Sequence, residues 1–180
     1  MKRILALALL AVAPALANPP TAVDEDFGGS QFPPPGWTVD GDSRAWSWED
    51  GGGYAKGTAE CGAAPDSGWT ALYSPPFRVS KGTTLRVQFR YRTYDVNYET
   101  RYVRIGTWRK FLDWDQEWID FDEVTTTFEA GGEYQAEFAL SIAGGSYWVW
   151  AEFDVDDVVI TRQNVGVDPT SLGRVRALFR

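Results

Sequence analysis

Apolar and polar residues alternate with a period of two through much of this chain. Leu85, Val87, Phe89 and Tyr91 alternate with Arg86, Gln88, Arg90 and Arg92, and Tyr134, Ala136, Phe138, Leu140 and Ile142 alternate with Gln135, Glu137, Ala139 and Ser141. That period belongs to a strand with one face in a core and the other in water. Val103 and Ile105 share a face in a shorter strand over Tyr102 to Thr107. Ala71 to Val79 reads as a strand broken at its edge by Pro75 and Pro76. Ala45-Trp46-Ser47-Trp48 reads as a short edge segment, and Trp108 to Glu123 as a loop followed by a strand at Trp118 to Phe121. Pro33, Pro34 and Pro35 exclude a central strand and predict an extended loop that delivers Trp37 to a short one. Asp40-Gly41-Asp42-Ser43, Lys81-Gly82, Gly131-Gly132 and Gly144-Gly145-Ser146 are turn signals. Gly51 to Gly68 has no periodicity and reads as a long surface loop with a short pairing around Tyr54. Many short strands, frequent turns and no long amphipathic pattern predict an all-β fold, an antiparallel jelly-roll β-sandwich.

The closing strand breaks the period in an informative way. Phe153 and Val155 share one parity, and Val158 and Ile160 the other. A strand that keeps its core face through Glu152 to Thr161 therefore needs one extra residue at Asp156-Asp157, a β-bulge. Bulges re-aim side chains, and here the side chains are adjacent carboxylates. Two readings of that pair stand level on the residues alone: a cation site, or a solvated edge.

The first 17 residues carry a different signal. Lys2 and Arg3 precede an apolar run from Ile4 to Ala13 and the small-residue site Ala15-Leu16-Ala17, which together read as a secretory signal peptide. The run is too short to span a bilayer, so membrane insertion is not expected. Residues 18–163 read as one sandwich domain and 164–180 as a basic C-terminal tail, with packing as an extra strand and hanging free both open. Removing the signal moves net charge from −8 to −10, 15 Lys and Arg against 25 Asp and Glu. That balance argues against nucleic acid and anionic lipid, and for cations or neutral ligands. The chain has no histidine, which excludes Ser-His-Asp and Cys-His catalysis and His-ligated metal sites. Its single cysteine, Cys61, has no disulfide partner within the chain and reads as a free or buried thiol.

Several segments taken in order resemble one family. Glu25-Asp26-Phe27, Phe32-Pro33-Pro34-Pro35-Gly36-Trp37, Ala45-Trp46, Leu72-Tyr73-Ser74-Pro75-Pro76-Phe77 and Val155-Asp156-Asp157-Val158-Val159-Ile160 are similar to the choice-of-anchor J or cleaved-adhesin domains of bacterial surface and secreted proteins, jelly-roll sandwiches akin to MAM and carbohydrate-binding modules. The resemblance covers roughly Val23 to Thr161. It implies a binding role, and a structural calcium where the N-terminal acidic segment meets the last strand. By position the ligands would be Glu25, Asp26, Asp156 and Asp157, although Gly28 stands where related modules often carry a further acid. Calcium needs six to eight oxygen ligands.

Nine Trp and eight Tyr are more than a small core usually needs, and clustered exposed aromatics mark interfaces. Trp37 and Trp46 are expected in the core. Trp148 and Trp150 share a strand face opposite Phe153, and with Tyr94, Tyr98 or Tyr102 they would make a glycan platform. Packing under a loop is the plainer reading for each ring taken singly. Arg86, Arg90 and Arg92, with Arg101 and Arg104, form a basic stripe expected to pair with acids on neighbouring strands. The expected function is a secreted, non-enzymatic module that binds a glycan or a surface protein. One alternative is a glycan-active hydrolase with its carboxylate pair among Asp113, Asp115, Glu117, Asp120 and Asp122. Another is a structural domain without a ligand.

Overall fold

A computed structural model describes residues 21–41, 46–49, 53–62, 67–94, 99–143 and 149–163. The expected signal peptide, the expected C-terminal tail, Tyr98 and Trp148 lie outside the described residues. Those residues form thirteen strands: β1 (Thr21–Glu25), β2 (Thr38–Asp40), β3 (Trp46–Glu49), β4 (Tyr54–Cys61), β5 (Ser67–Tyr73), β6 (Phe77–Val79), β7 (Thr84–Tyr94), β8 (Glu99–Ile105), β9 (Trp108–Phe111), β10 (Ile119–Val124), β11 (Gly132–Tyr134), β12 (Ala136–Ala143) and β13 (Val149–Gln163). One sheet runs β10-β7-β13-β4-β3, with β1 paired to the far half of β13, and the other runs β2-β5-β12-β8-β9. β11 and β6 make a two-stranded ribbon. Every pairing is antiparallel. The chain changes sheets between β1 and β2, β2 and β3, β4 and β5, β7 and β8, β9 and β10, and β12 and β13, and crosses by way of the ribbon strands β6 and β11, so the fold is an antiparallel jelly-roll sandwich.

The core is where the alternation places it. Leu85, Val87, Phe89 and Tyr91 of β7 and Phe153, Val155, Val158 and Ile160 of β13 face Phe138, Leu140, Val103 and Ile105 of the other sheet within one buried cluster. Aromatic rings join the two layers and brace the first: Phe89 meets Phe138 edge-on at 5.2 Å between the sheets, and Trp46 meets Phe153 edge-on at 6.1 Å within one sheet. Trp37 and Trp46 are both buried.

The bulge is where the parity switch requires it. Asp156 pairs with Arg90 and Val159 with Gln88, so Asp157 and Val158 together oppose one residue of β7. Asp157 takes a left-handed conformation, φ 50°, which aspartate tolerates better than most residues. Val158 and Ile160 thereby stay in the core.

The expected loop from Gly51 to Gly68 is corrected. It contains β4 and the start of β5. Ala55, Gly57, Ala59 and Cys61 point inward and alternate with Lys56, Thr58 and Glu60. The period of two was present, but its apolar members are too small to stand out in sequence. Small residues are needed there because Trp46 lies on them: a β-carbon on Gly57 would come within 2.7 Å of the indole. Trp108 to Phe111 is also a strand rather than a loop, pairing with β8.

Candidate binding site

The outward residues of the two sheets make very different surfaces. On the β7-β13-β4 face, each outward arginine of β7 meets a carboxylate. Arg86 Nε donates to Asp122 at 2.8 Å, Arg90 reaches Asp156 at 2.6 Å and Asp157 at 2.9 Å, and Arg92 Nε donates to Asp154 at 2.8 Å. Lys56 pairs with Glu152 at 2.7 Å. Trp118 closes this ladder from the β10 side, with the guanidinium carbons of Arg92 and Arg90 at 4.8 and 5.1 Å from its ring. Tyr54 adds its ring beneath Arg92 and accepts a bond from it at 2.7 Å. Asp154 is fully buried, and burial pushes its carboxyl up to about 7 despite the opposing pull of Arg92. The expected pairing of the arginine stripe with acids on neighbouring strands holds for Arg86, Arg90, Arg92 and Arg104, the last with Glu137 of β12, whereas Arg101 pairs with Glu99 of its own strand. Arg104 and Arg101 lie in the other sheet.

The outer face of β5-β12-β8-β9 is instead an aromatic surface. β5 presents Trp69 and Tyr73, β8 presents Tyr102 and Arg104, and β9 presents Arg109 and Phe111. Register brings them side by side: Phe111, Tyr102, Ala139 and Ala71 form one row across the sheet, and Arg109, Arg104, Glu137 and Tyr73 the next. Ala71 and Ala139 belong to no core layer yet have no exposed surface, so the larger side chains around them overhang a floor of methyl groups. Trp69 reaches the Tyr102 hydroxyl from β5 over that floor. Trp69 remains 41% exposed and Phe111 62% exposed. Four strands at the usual spacing make this face about 14 Å wide.

Glu137 is the polar anchor of that face. It accepts from the Tyr102 hydroxyl at 2.8 Å and from Arg104 Nε at 2.6 Å, and it is almost wholly buried. Burial, then the bond to Glu137, raises the Tyr102 phenol above its ordinary value, and burial does the same for Tyr73. Both therefore stay neutral rings with a hydroxyl at the rim. The Arg109 guanidinium carbon lies over Phe111 at 4.9 Å and over Tyr102 at 5.4 Å from the ring centres.

The expected platform is thus divided. Tyr102 lies on this aromatic face. Trp150, 40% exposed, and Tyr94 lie on the outside of the opposite sheet, so the three rings cannot touch one ligand together. Trp69, Tyr73, Arg109 and Phe111 were missed. Extending the alternation of Ala71 and Tyr73 back by two residues would have found Trp69. Nothing in one sequence tells that β9 pairs with β8 and sets Phe111 beside Tyr102.

The two ends of the chain do meet. Glu25 pairs with Val158, next to the bulge. The carboxylates there are already engaged: Glu25 accepts the Phe27 N–H at 2.9 Å, Asp26 the Gly28 N–H at 2.9 Å and Asp156 the Asp157 N–H at 2.8 Å. Arg90 bridges Asp156 and Asp157. Among the described residues no group of three or more acids or thiols is arranged to hold a metal ion.

With this geometry the protein falls in the class of jelly-roll sandwiches that expose an aromatic sheet face. No protein-family model matches the sequence, and no curated protein matches it. Solved structures of similar fold include the N-terminal cellulose-binding domain of β-1,4-glucanase C from Cellulomonas fimi, at 18% identity and TM-score 0.48, covering 76% of this chain and 93% of that one. The module TmCBM61, solved with β-1,4-galactotriose, is similar at 16% identity and TM-score 0.47 over 77% of this chain and 94% of that one. The K3 cleaved adhesin domain of Lys-gingipain from Porphyromonas gingivalis is similar at 17% identity and TM-score 0.35 over 79% and 99%. A cyclase from Fischerella sp. TAU is similar at 11% identity and TM-score 0.45 over 79% of this chain and 98% of that one. Likeness at this level concerns the fold alone; function has to be argued from the surface.

Proposed function

We propose that this protein is an exported, non-enzymatic module that binds a glycan through the outer face of β5-β12-β8-β9. The observation that carries the reading is the pair of exposed rings, Trp69 and Phe111, on one face with Tyr73 and Tyr102. Large exposed aromatic areas are costly to leave in water and mark contact surfaces. Flat rings with polar rims match the apolar C–H faces and hydroxyl edges of sugars. The hydrolase alternative needs two carboxyl groups flanking the scissile bond. On this face Glu137 is tied to Arg104 and Tyr102, which favours binding over catalysis. Kinship with the choice-of-anchor J domains is the finer proposal, supported by the ordered segments and the bulge at Asp156-Asp157.

The test is a polysaccharide retention screen with two double variants. Trp69→Ala with Phe111→Ala should abolish retention, and Trp150→Ala with Tyr94→Ala should leave it unchanged. The opposite result would move the site to the other face, and no retention of any glycan would sink the reading. Export predicts that the protein recovered from culture medium begins near Asn18.

Calcium at the chain ends is a proposal with a stated condition. Its support is that Glu25 and Asp26 arrive beside Asp156 and Asp157, and its condition is that Arg90 withdraws from both aspartates. A bound ion would lower the melting temperature on chelation. An unchanged melting temperature in chelator would dismiss it.

A further inference from the structure

Arg109 is the residue on the aromatic face that the fold does not use. Its guanidinium lies on the rings of Phe111 and Tyr102, it is exposed, and among the described residues no carboxylate pairs with it. That is unusual in a protein of net charge −8. The other outward arginines beside aromatic rings, Arg90 and Arg92, each have an aspartate within 3 Å. Arg104, directly opposite Arg109 in the β8-β9 ladder, is already satisfied by Glu137. Two like charges face each other across that pair, and the one carboxylate beside them, Glu137, lies on the far side of Arg104, an arrangement that costs stability when left so. Asp40, another acid of this face among the described residues, is on β2 at the far edge of the sheet.

We propose that the glycan bound on this face carries carboxylate groups: a polyuronate, with one uronate carboxylate seated on Arg109 and neighbouring rings lying on Phe111, Tyr102 and Trp69. This rests on the glycan-binding reading above and deepens it. The chemistry follows from the placement. A guanidinium offers a flat fork of N–H donors that matches a carboxylate in two parallel bonds. Contact with two rings that stand at 77° to each other restricts the side chain before any ligand arrives, so little side-chain freedom is lost on binding. The rings supply sequence-tolerant stacking for the sugar faces, and the arginine supplies the choice between acidic and neutral sugars. A neutral glycan would leave the local positive charge uncompensated.

The experiment compares polygalacturonate with its fully methyl-esterified form, which has the same sugar rings and no charge. Affinity electrophoresis of the whole protein should show retention by polygalacturonate at least about tenfold stronger than by the ester, the factor that 1.4 kcal/mol gives. Arg109→Gln should remove that preference while leaving the weak retention by the ester in place, and raised salt should weaken the acid form alone. Unchanged near-ultraviolet circular dichroism would show the variant folded. Equal retention of acid and ester, unaffected by Arg109→Gln, would overturn the proposal and leave glycan binding standing. Retention of polyglutamate as strong as that of polygalacturonate would overturn it too, since charge alone would then suffice. No retention of either pectin form, with neutral β-glucans retained, would refute the acidic ligand only. No retention of any glycan would take down both this proposal and the reading beneath it.

Discussion

Gly57 occupies a place that no β-carbon can enter. The Trp46 indole lies against it, with ring atoms 2.7 to 2.9 Å from where that carbon would stand, and the indole in turn packs on Phe153. Gly57→Ala must therefore push Trp46 outward, at a cost of about 1–3 kcal/mol, the usual range for overpacking. A fall in the urea midpoint at constant slope is the expected reading. Asp154 makes a different prediction. Its carboxyl, pushed up to about 7 by burial, keeps a proton that the unfolded chain releases near an ordinary carboxylate value of about 4. Between those values the folded state binds more protons than the unfolded one, so stability falls as pH rises from about 4 to about 7 and this group adds no slope outside that window. Asp154→Asn removes the slope. Wild-type and variant urea midpoints that run parallel from pH 4 to 7 would show that Arg92 already keeps the carboxylate ionised. Neither residue is legible in sequence, because a glycine under an indole and an aspartate under a guanidinium look like a turn residue and a surface charge until the strands are paired.

At the scale of elements, the bulge allows a sharper test. Removing Asp157 would leave Asp156 outward and Val158 inward in an unbroken alternation, with the register to β7 intact on both sides. Removing Asp154 would instead turn every following side chain to the other face, sending Val155 and its neighbours out of the core. The Asp157 deletion should therefore unfold in one cooperative transition, and the Asp154 deletion should show none. Two cooperative transitions, or none in either, would contradict the bulge as the device that keeps Val158 and Ile160 buried. This element was legible because its signal is a change of parity among large apolar residues. The same is true of β7 and β12, whose cores are Leu, Val, Phe and Ile. β4 was not legible, since its inward residues are Ala, Gly and Cys. The period was equally strict there, but hydrophobicity carried too little weight to reveal it.

At the scale of the molecule, the proposed function divides stability and recognition between the two outer faces. The β7-β13-β4 face is closed by internal ion pairs: Arg92 lies between Asp154, Tyr54 and Trp118, and what is buried there cannot reach a ligand. The β5-β12-β8-β9 face leaves Trp69, Phe111 and Arg109 uncovered. Sequence located the strands that build both faces but not which strand lies beside which, and so it joined Tyr102 to Trp150 and Tyr94 across the thickness of the sandwich. Paired substitutions can separate the two roles. Arg92→Met leaves the buried Asp154 carboxyl without its hydrogen-bond partner, a change that typically costs about 1–3 kcal/mol, and it should lower the melting temperature without altering glycan affinity measured well below that temperature. Phe111→Ala removes an exposed ring, should change stability by no more than about 0.5 kcal/mol, and should lose the glycan. Calorimetry and affinity electrophoresis on the same two proteins read both quantities. Loss of binding in folded Arg92→Met would mean that the faces are coupled through the core layer of Phe89, Phe138 and Phe153, and the ion-pair ladder would then belong to the binding site as much as the aromatic floor does.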